Sequence, residues 1–357
     1  MAGLVSVDPT FWTGRRVLVT GHTGFKGAWL SFWLSRLGAQ VWGLALPPET
    51  EPDLFGQLDL AGRMDHAILD VRDRGAVADR VAAAAPEIVF HLAAQPLVRR
   101  SYREPVETWA TNVQGTAHLL DALGLIDAPM AIVLVTTDKV YRNREWLHAY
   151  REPDTLGGHD PYAASKAATE LLADSWRASF FAGGPQRLAT ARAGNVIGGG
   201  DWSEDRILPD IIRALSAGRP VEVRNPGATR PWQHVLDPLA GYMQLAERLF
   251  TSDDAAWQTA FNFGPDSGGQ RSVREVVETA LASWPGSWNQ VSQSAAPHEA
   301  GLLALSTDKA RTQLGWRPVW DFETAVTRTV EWYRAAADGT DIAALTETQI
   351  RDFGGLA

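Results

Sequence analysis

Apolar residues fall into two kinds of segment along the first half of the chain. Short apolar runs predict strands at 16–20, 41–46, 67–71, 87–93, 131–136 and 188–192. Between them, apolar residues recur every three or four positions, which predicts helices after the first run and at 73–85, 106–123 and 161–181. Strands that alternate with helices favour an α/β fold, in which helices cover both faces of a doubly wound parallel sheet.

The pattern changes after Asn195. Three glycines at 198–200 and prolines at 209, 220, 226 and 231 divide this half of the chain into shorter elements. We therefore predict a large sheet domain over 1–194 and a smaller lobe over 195–357 that is interleaved with it. Segments within 230–265 are expected to return to the large domain, with one more strand at 260–263.

Composition narrows the class of protein. The apolar content of 45% is enough for a sizeable core, and the net charge of −9 argues against a nucleic-acid partner. The absence of cysteine excludes disulfides and thiolate metal sites, and no metal is expected. Residues 1–12 lack the features of a secretory signal, and no run reaches the roughly 18 apolar residues of a spanning helix. These features predict a cytoplasmic protein without a membrane partner.

A glycine-rich turn connects the first predicted strand to the first predicted helix. Glycines at 21, 24 and 27 allow a tight turn, a close approach of the backbone to a pyrophosphate, and close packing of helix on strand. The N-terminus of the helix supplies free N–H groups for phosphate oxygens. The alternative is a plain strand-to-helix turn, but its place in the first βα unit favours dinucleotide binding.

The Gly-x-x-Gly-x-x-Gly spacing resembles that of the extended short-chain dehydrogenase/reductase family, whose fold is Rossmann-like. The resemblance implies that this turn binds NAD, through Gly21, Thr23, Gly24, Phe25, Lys26 and Gly27. Residues 44–48, at the end of the second strand, include neither an acid that could bind the ribose hydroxyls nor an arginine that could bind a 2′-phosphate. The preference for NAD over NADP therefore rests on the resemblance alone. Asp70 is either an acceptor for the adenine amine or a turn carboxylate. Ala93 and Ala94 are expected to run beside the cofactor.

Tyr162 and Lys166 lie four residues apart at the start of a predicted helix and therefore share one face. A neighbouring ammonium and the cationic nicotinamide ring would favour the phenolate of Tyr162. Such a phenolate can take the proton of a sugar hydroxyl while hydride leaves the same carbon. The alternative is a surface pair on an amphipathic helix, but the glycine turn upstream favours a catalytic pair in which Lys166 also holds the nicotinamide ribose.

Thr137, Asp138 and Lys139 follow the fifth predicted strand, and ligands of open α/β sheets bind at the carboxyl ends of strands. In the family, a Thr here bonds the reacting hydroxyl, and the sugar 4,6-dehydratases add an acid and a second ionisable group for elimination. Thr-Asp-Lys resembles the CDP-glucose 4,6-dehydratases in particular. So do the turn at 20–27 and the segments 156–162, 192–202 and 230–237.

The resemblance also implies residues that bind a nucleotide sugar. Asn195 and Arg230 match positions that hold the diphosphate, and the guanidinium fork of an arginine suits phosphate oxygens. His234 and Glu299 are weaker candidates on the same substrate side. A homodimer, or a tetramer built from dimers, is expected through the apolar faces of the helices at 106–123 and 161–181.

Together these features predict an NAD-dependent lyase that dehydrates CDP-glucose to CDP-4-keto-6-deoxyglucose, for deoxysugar and surface-polysaccharide (lipopolysaccharide O-antigen) synthesis. In this scheme Tyr162 deprotonates the C4 hydroxyl, Asp138 protonates the leaving hydroxyl, and Lys139 is a catalytic residue whose role the sequence leaves open. Two classes of alternative remain. One is a related enzyme, either a nucleotide-sugar 4-epimerase or a dehydratase for another nucleotide hexose. The other is a non-catalytic NAD-binding regulator. The intact Tyr162 and Lys166 argue against the regulator.

Overall fold

A parallel sheet organises the computed structural model, which describes residues 7–266, 269–291 and 302–356. Within these residues seven strands pair in the order β3-β2-β1-β4-β5-β6-β11, and every pair is parallel. The strands are β1 (Arg16–Thr20), β2 (Gln40–Ala45), β3 (Asp65–Ile68), β4 (Ile88–His91), β5 (Met130–Val135), β6 (Gln186–Ala193) and β11 (Ala260–Phe263). The doubly wound α/β fold predicted from the sequence is confirmed, and the run at 260–263 pairs with β6 at one edge.

Helices cover both faces of the sheet. Those of the first half are α1 (Pro9–Trp12), α2 (Phe25–Arg36), α3 (Leu54–Gln57), α4 (Arg74–Ala84), α5 (Val98–Arg103), α6 (Pro105–Trp109), α7 (Gly115–Leu123) and α8 (Pro161–Ser179). Alternation along β1 shows the layering: Val17 and Val19 join one core cluster with Trp29 of α2, whereas Leu18 joins a second cluster with Val77 of α4. Two apolar layers therefore hold the sheet between them.

The smaller lobe is built from the second half of the chain. Its strands are β7 (Val196–Ile197), β8 (Val221–Val223), β9 (Thr229–Pro231), β10 (Gln233–His234), β12 (Gln270–Ser272) and β13 (Trp288–Gln290), which form short two-stranded pairs. The helices are α9 (Ile207–Ser216), α10 (Leu236–Thr251), α11 (Val273–Ser283), α12 (Phe322–Ala337) and α13 (Ile342–Asp352). Of these, α10 packs on β5 and β6, so this segment belongs to the sheet domain.

Two predicted elements differ from the structure. The third strand ends at Ile68 rather than at 71, because Asp70 turns back to accept a hydrogen bond from the backbone N–H of Arg72. The helix predicted at 106–123 is interrupted by a π-helical turn at Ala110–Gln114. There the hydroxyls of Thr116 and Thr169 both donate to the carbonyl of Asn112, which anchors this turn against α8.

Within the residues that the structure describes, no helix is both long enough and apolar enough to cross a membrane. The same residues contain no group of three or more His, Asp or Glu side chains that could hold a metal ion.

Candidate active site

The glycine turn between β1 and α2 lies at the floor of a large cleft along the carboxyl ends of the strands. Gly21 has a φ of +74°, and a Cβ there would come within 2.7 Å of the backbone nitrogen of Ala93. A Cβ on Gly27 would lie 2.1 Å from the carbonyl oxygen of Gly21. Both positions therefore require glycine, the first for its conformation and the contact with β4, the second for helix packing.

The first turn of α2 is suited to bind a phosphate group. Gly24 is the N-cap residue and makes no side-chain cap hydrogen bond, which leaves the first N–H groups of the helix to other acceptors. Gly24, Phe25 and Lys26 all line the cleft. These backbone N–H donors can bind phosphate oxygens, and the glycines let the backbone approach them closely. The turn therefore fits the pyrophosphate of a dinucleotide.

The far end of the cofactor cleft is formed by the ends of β2 and β3. Thr23 donates its hydroxyl to the carbonyl of Leu46, which ties the turn to the end of β2. Asp70 lines the cleft and binds Arg72, whose guanidinium hydrogen bonds hold the pKa of this carboxyl below its usual range. Ala94 lines the same cleft beside Ala93. The predicted cofactor residues thus border a single cleft, and Asp70 presents an ionised carboxylate to it.

Tyr162 and Lys166 lie on the face of α8 that is turned toward the ends of β5 and β6. Both line the cleft although they are almost fully buried. Burial raises the pKa of Tyr162 to about 12, and its contact with the Thr137 side chain opposes this shift. The ammonium of Lys166 donates to the carbonyl of Val135 at 3.1 Å. Burial therefore opposes ionisation of Tyr162, and the phenolate favoured by Lys166 together with a bound nicotinamide ring stays a prediction.

Asp138 lies under the polypeptide that follows β6. The hydroxyl of Thr137 donates to its Oδ1 at 2.9 Å, and the side-chain amide of Asn195 donates to its Oδ2 at 3.0 Å. A Cβ on Gly194 would come within 2.0 Å of the Asp138 carboxyl carbon. Asp138 is fully buried and, unlike Thr137, does not line the cleft. The predicted acid is thus held back from the cleft by two hydrogen bonds.

Two lysines border the same part of the cleft. Lys139 is only partly buried, and its side chain reaches the cleft next to Thr137 and Tyr141. Lys26 extends from α2 toward Asp138, Lys166 and Arg206. Burial, with help from the positive charge of Arg206, lowers the pKa of Lys26 to about 7. Lys26, Lys139 and Lys166, all predicted from the sequence as site residues, therefore line the same cleft.

A buried ion pair anchors α8 to the sheet behind the site. Glu170 follows Lys166 by one helical turn and binds Arg192 of β6 at 2.8 Å, with both side chains almost completely buried. Thr136 and Thr190 donate their hydroxyls to the two oxygens of Glu170. Although burial opposes ionisation, the charge and hydrogen bond of Arg192 hold the pKa of Glu170 below its ordinary value. Both oxygens of the Glu170 carboxylate are hydrogen-bonded, so this pair fixes the position of the helix that carries Tyr162.

The substrate residues predicted from sequence fall into three groups. Asn195 and Arg230 both line the cleft, on the side of the smaller lobe. His234 does not: it is buried between Trp29 and Trp320, and burial lowers its pKa to about 3. A substrate contact at His234 is therefore not supported, because the ring packs in the core. Glu299 lies outside the described residues.

Several cationic residues of the cleft were missed by sequence reasoning. Arg206 lies in the cleft beside Asp201, to which it is bound at 3.1 Å. Further arginines line the same side, namely Arg99, Arg213 and Arg224. They flank residues 201–206, which follow the three glycines at 198–200. Those glycines were the only feature of the sequence that marked this region. A single arginine in a sequence does not indicate a site, because arginines are common on protein surfaces. Only the tertiary structure shows that these arginines line one cleft.

Comparison with known proteins places this cleft in a family. A family profile for GDP-mannose 4,6-dehydratase matches residues 18–329. The CDP-glucose 4,6-dehydratase of Salmonella typhimurium is 46% identical over 354 residues, which cover 97% of this chain and 98% of that protein. The dTDP-glucose 4,6-dehydratase of Streptomyces griseus is 29% identical over 89% of this chain and 93% of that protein.

Solved structures show the same fold. The UDP-glucose 4-epimerase of Stenotrophomonas maltophila, with bound NAD and formylated UDP-arabinopyranose, superimposes with a TM-score of 0.79 at 21% identity. The match covers 91% of this chain and 100% of that one. MoeE5 in complex with UDP-glucuronic acid and NAD gives a TM-score of 0.76 at 26% identity, over 90% and 99% of the two chains. By the profile match and the sequence identity, this chain belongs to the GDP-mannose 4,6-dehydratase family.

Proposed function

We propose that this member of the GDP-mannose 4,6-dehydratase family converts CDP-glucose to CDP-4-keto-6-deoxyglucose with bound NAD, as a hydro-lyase without net oxidation. The observation that carries the proposal is that Thr137, Lys139 and Tyr162 line the same cleft, with the buried Asp138 hydrogen-bonded to Thr137 directly behind them. The identity of 46% with a CDP-glucose 4,6-dehydratase over nearly the whole chain supports CDP-glucose as the substrate.

NAD, when bound, would supply the redox chemistry as an acceptor and donor of hydride. The pyrophosphate fits the N-terminus of α2, and Lys166 lies where it can hold the nicotinamide ribose. The role of the chain's own residues is to orient the cofactor and move protons. Tyr162 removes the proton of the C4 hydroxyl, and Asp138 protonates the departing C6 hydroxyl.

Lys139 is the base that we propose for C5. The 4-keto group acidifies the C5–H bond, and the Lys139 side chain borders the cleft beside Thr137. An amine accepts a proton only in its neutral form, because an ammonium has no free electron pair. The motif of the dTDP-glucose dehydratases carries a glutamate at this position.

The substrate diphosphate is assigned to the cationic side of the cleft. Arg230 lies in β9, and Arg206 and Arg224 also line the cleft. Arginine forks bind phosphate oxygens in a fixed geometry. Arg206 is paired with the buried Asp201, and Arg224 with the partly exposed Asp205. We infer that the diphosphate competes for these guanidinium groups, and that the Arg224–Asp205 pair is the less costly of the two to break.

The test is a parallel assay of CDP-, dTDP-, GDP- and UDP-glucose with NAD-loaded protein. We expect CDP-glucose to give a 4-keto-6-deoxy product, detected by its absorbance in alkali, with no net gain of reduced nicotinamide. Tyr162→Phe is the matched control, because it removes one oxygen atom and should lose the first step. A 4-epimer as product, or another nucleotide turned over faster than CDP-glucose, would contradict the proposed activity.

We further propose that the protein is a homodimer, or a tetramer of dimers, that associates through α6, α7 and α8. Large apolar side chains are exposed there, among them Val106 (80% exposed), Leu171 (60%) and Trp109 (42%). Apolar groups of this size on neighbouring helices are typical of a two-fold helical interface.

A further inference from the structure

We propose that Asp201 is a positioning residue for the substrate: it holds Arg206 at the cleft so that the guanidinium can bind the diphosphate of the nucleotide sugar. The proposal rests on the proposed function and extends it, because it names the group that orders the cationic side of the cleft. Asp201 lies in the motif at 192–202, directly after the three glycines, and the reaction scheme gives it no task.

The carboxylate of Asp201 is almost fully buried, whereas the arginine that it binds is open to the cleft. Oδ2 of Asp201 accepts a hydrogen bond from Nη1 of Arg206 at 3.1 Å, and Oδ1 accepts one from the backbone N–H of Ser203 at 3.1 Å. Asp201 is only 3% exposed, but the Arg206 side chain is 33% exposed and lines the cleft. A guanidinium has five N–H donors, so the contact with Asp201 leaves donors for phosphate oxygens.

Glycines bring Asp201 to this position. A Cβ on Gly199 would lie 2.0 Å from the indole ring of Trp332 in α12. Gly200 has a φ of +80°, and a Cβ there would lie 2.7 Å from the side chain of Leu54 in α3. Neither position has room for a side chain, so the segment before Asp201 packs directly against α3 and α12.

The backbone around Asp201 is anchored as well. The hydroxyl of Tyr333 donates to the carbonyl oxygen of Asp201 at 2.5 Å, and the indole ring of Trp202 packs edge-on against the Tyr333 ring with centroids 5.0 Å apart. The guanidinium of Arg213 donates to the carbonyl oxygen of Trp202 at 3.1 Å. Side chains from α9 and α12 therefore hold this stretch in place, which gives the Asp201 carboxylate a fixed direction.

Lys26 gives the physical reason why Arg206 needs an anchor. This lysine extends from α2 and lines the cleft, where its charge is repelled by Arg206 and attracted by Asp201. Repulsion between two cations that border one cleft favours a rotamer of Arg206 that turns toward solvent, and a carboxylate near both cations reduces that repulsion. Asp201 thereby keeps Arg206 on the cleft, which presents two positive charges to the diphosphate.

The contact between Asp201 and Arg206 is expected to persist when the diphosphate binds. Removing the cation from a buried carboxylate leaves an uncompensated charge, which is strongly unfavourable. The pair formed by Arg224 and Asp205 is different, because both side chains are 30% exposed and exposed pairs are weak. We therefore expect Arg206 to bind the diphosphate and Asp201 at the same time, whereas Arg224 exchanges Asp205 for phosphate.

The experiment measures steady-state kinetics on CDP-glucose and the affinity for CDP, by calorimetric titration, in NAD-loaded protein. Asp201→Asn keeps the shape of the side chain and removes the charge that holds Arg206. We expect KM and the dissociation constant for CDP to rise about tenfold with kcat nearly unchanged, because a phosphate contact acts on binding. Asp237→Asn is the matched control, since Asp237 is also buried, accepts a backbone N–H at 2.7 Å and does not line the cleft. Its KM should equal that of the wild type.

Arg206→Gln shows whether Asp201 acts through Arg206. Glutamine keeps a donor for Asp201 but lacks the charge, so it should weaken CDP binding about tenfold as well, and Asp201→Asn should add little to that loss. Wild-type affinity for CDP in Asp201→Asn, or additive losses in the double variant, would overturn the proposal while the proposed function stands. If thermal unfolding shows that Asp201→Asn is not folded, wild-type CDP affinity in Arg206→Gln overturns it. Failure of the wild-type protein to bind CDP would instead contradict the proposed function.

Discussion

The side-chain amide of Asn195 donates a hydrogen bond to Oδ2 of Asp138 across 3.0 Å. The sequence assigned these two residues to different tasks, one to the substrate diphosphate and one to proton transfer. The structure joins them, because the chain turns at Asn195 with a φ of +51° directly after the glycine that covers Asp138. The side chain that we propose for the substrate diphosphate therefore also holds the proposed acid.

Asn195→Gly tests this shared role without backbone strain, because glycine adopts positive φ freely. Loss of a hydrogen bond to a charged group costs about 1.5–3 kcal/mol. We therefore expect a fall in kcat of roughly 10- to 100-fold together with a higher KM for CDP-glucose, measured by steady-state kinetics. A higher KM with unchanged kcat would leave Asn195 as a phosphate contact only.

Asp138→Asn should stop the reaction between oxidation and elimination. The amide keeps the shape of the side chain but cannot deliver a proton, and general acid catalysis typically contributes about 10²- to 10⁴-fold. Because Tyr162 and Lys166 are unchanged, the variant mixed with CDP-glucose should still oxidise C4 and accumulate reduced nicotinamide. Little 6-deoxy product should form, as followed by absorbance and product chromatography. Product formation at the wild-type rate would exclude Asp138 as the acid.

Arg230→Ala should weaken substrate binding far more than it slows the bound chemistry. A phosphate contact that is equal in the ground state and the transition state acts on KM. Arg230→Lys keeps the charge but lacks the planar fork, so we expect an intermediate KM. Steady-state kinetics on CDP-glucose measures both variants, and a large fall in kcat at constant KM would place Arg230 in the reaction instead.

Three buried histidines should make the fold sensitive to acid. Burial lowers the pKa of His22 to about 4 and the pKa values of His91 and His234 to about 3. Below about pH 6.5 the unfolded chain binds protons at these residues and the folded chain does not, so stability falls as the pH falls toward about 4. Each histidine contributes a slope of about 1.4 kcal/mol per pH unit.

Urea unfolding at a series of pH values measures that slope. His91 lies between the hydroxyls of Thr20 and Thr116 at 2.7 and 2.9 Å. His91→Asn should therefore reduce the pH slope by about 1.4 kcal/mol per pH unit, even if it also lowers the stability at neutral pH. An unchanged slope would show that His91 is protonated in the folded state.

The proposed dimer can be tested by charge on its apolar helices. Leu171→Asp on α8 should give a monomer by light scattering, because an unpaired carboxylate would be buried in the interface. Leu125→Asp is the matched control, since Leu125 is 80% exposed but lies beyond the end of α7. A dimer that survives Leu171→Asp, or a wild-type monomer at micromolar concentration, would contradict this assignment.

The sequence by itself determined the sheet, its order of elements and the two local motifs. The alternation of apolar runs with helical patterns fixes strands and helices because side-chain periodicity follows directly from backbone geometry. Local backbone geometry also explains the turn at 21–27 and the pair Tyr162 and Lys166. In each motif the residues lie within eight positions of one another along the chain. Such groups are brought together by local structure alone.

The tertiary structure decided which distant groups meet and what burial does to them. Asn195 reaches Asp138 across 57 residues of sequence, and His234 packs into the core between two tryptophans instead of facing the substrate. Burial likewise raises the pKa of Tyr162, an effect that its spacing from Lys166 does not reveal. Desolvation depends on everything packed around a group, and that packing is set by contacts between distant segments, which no local pattern encodes.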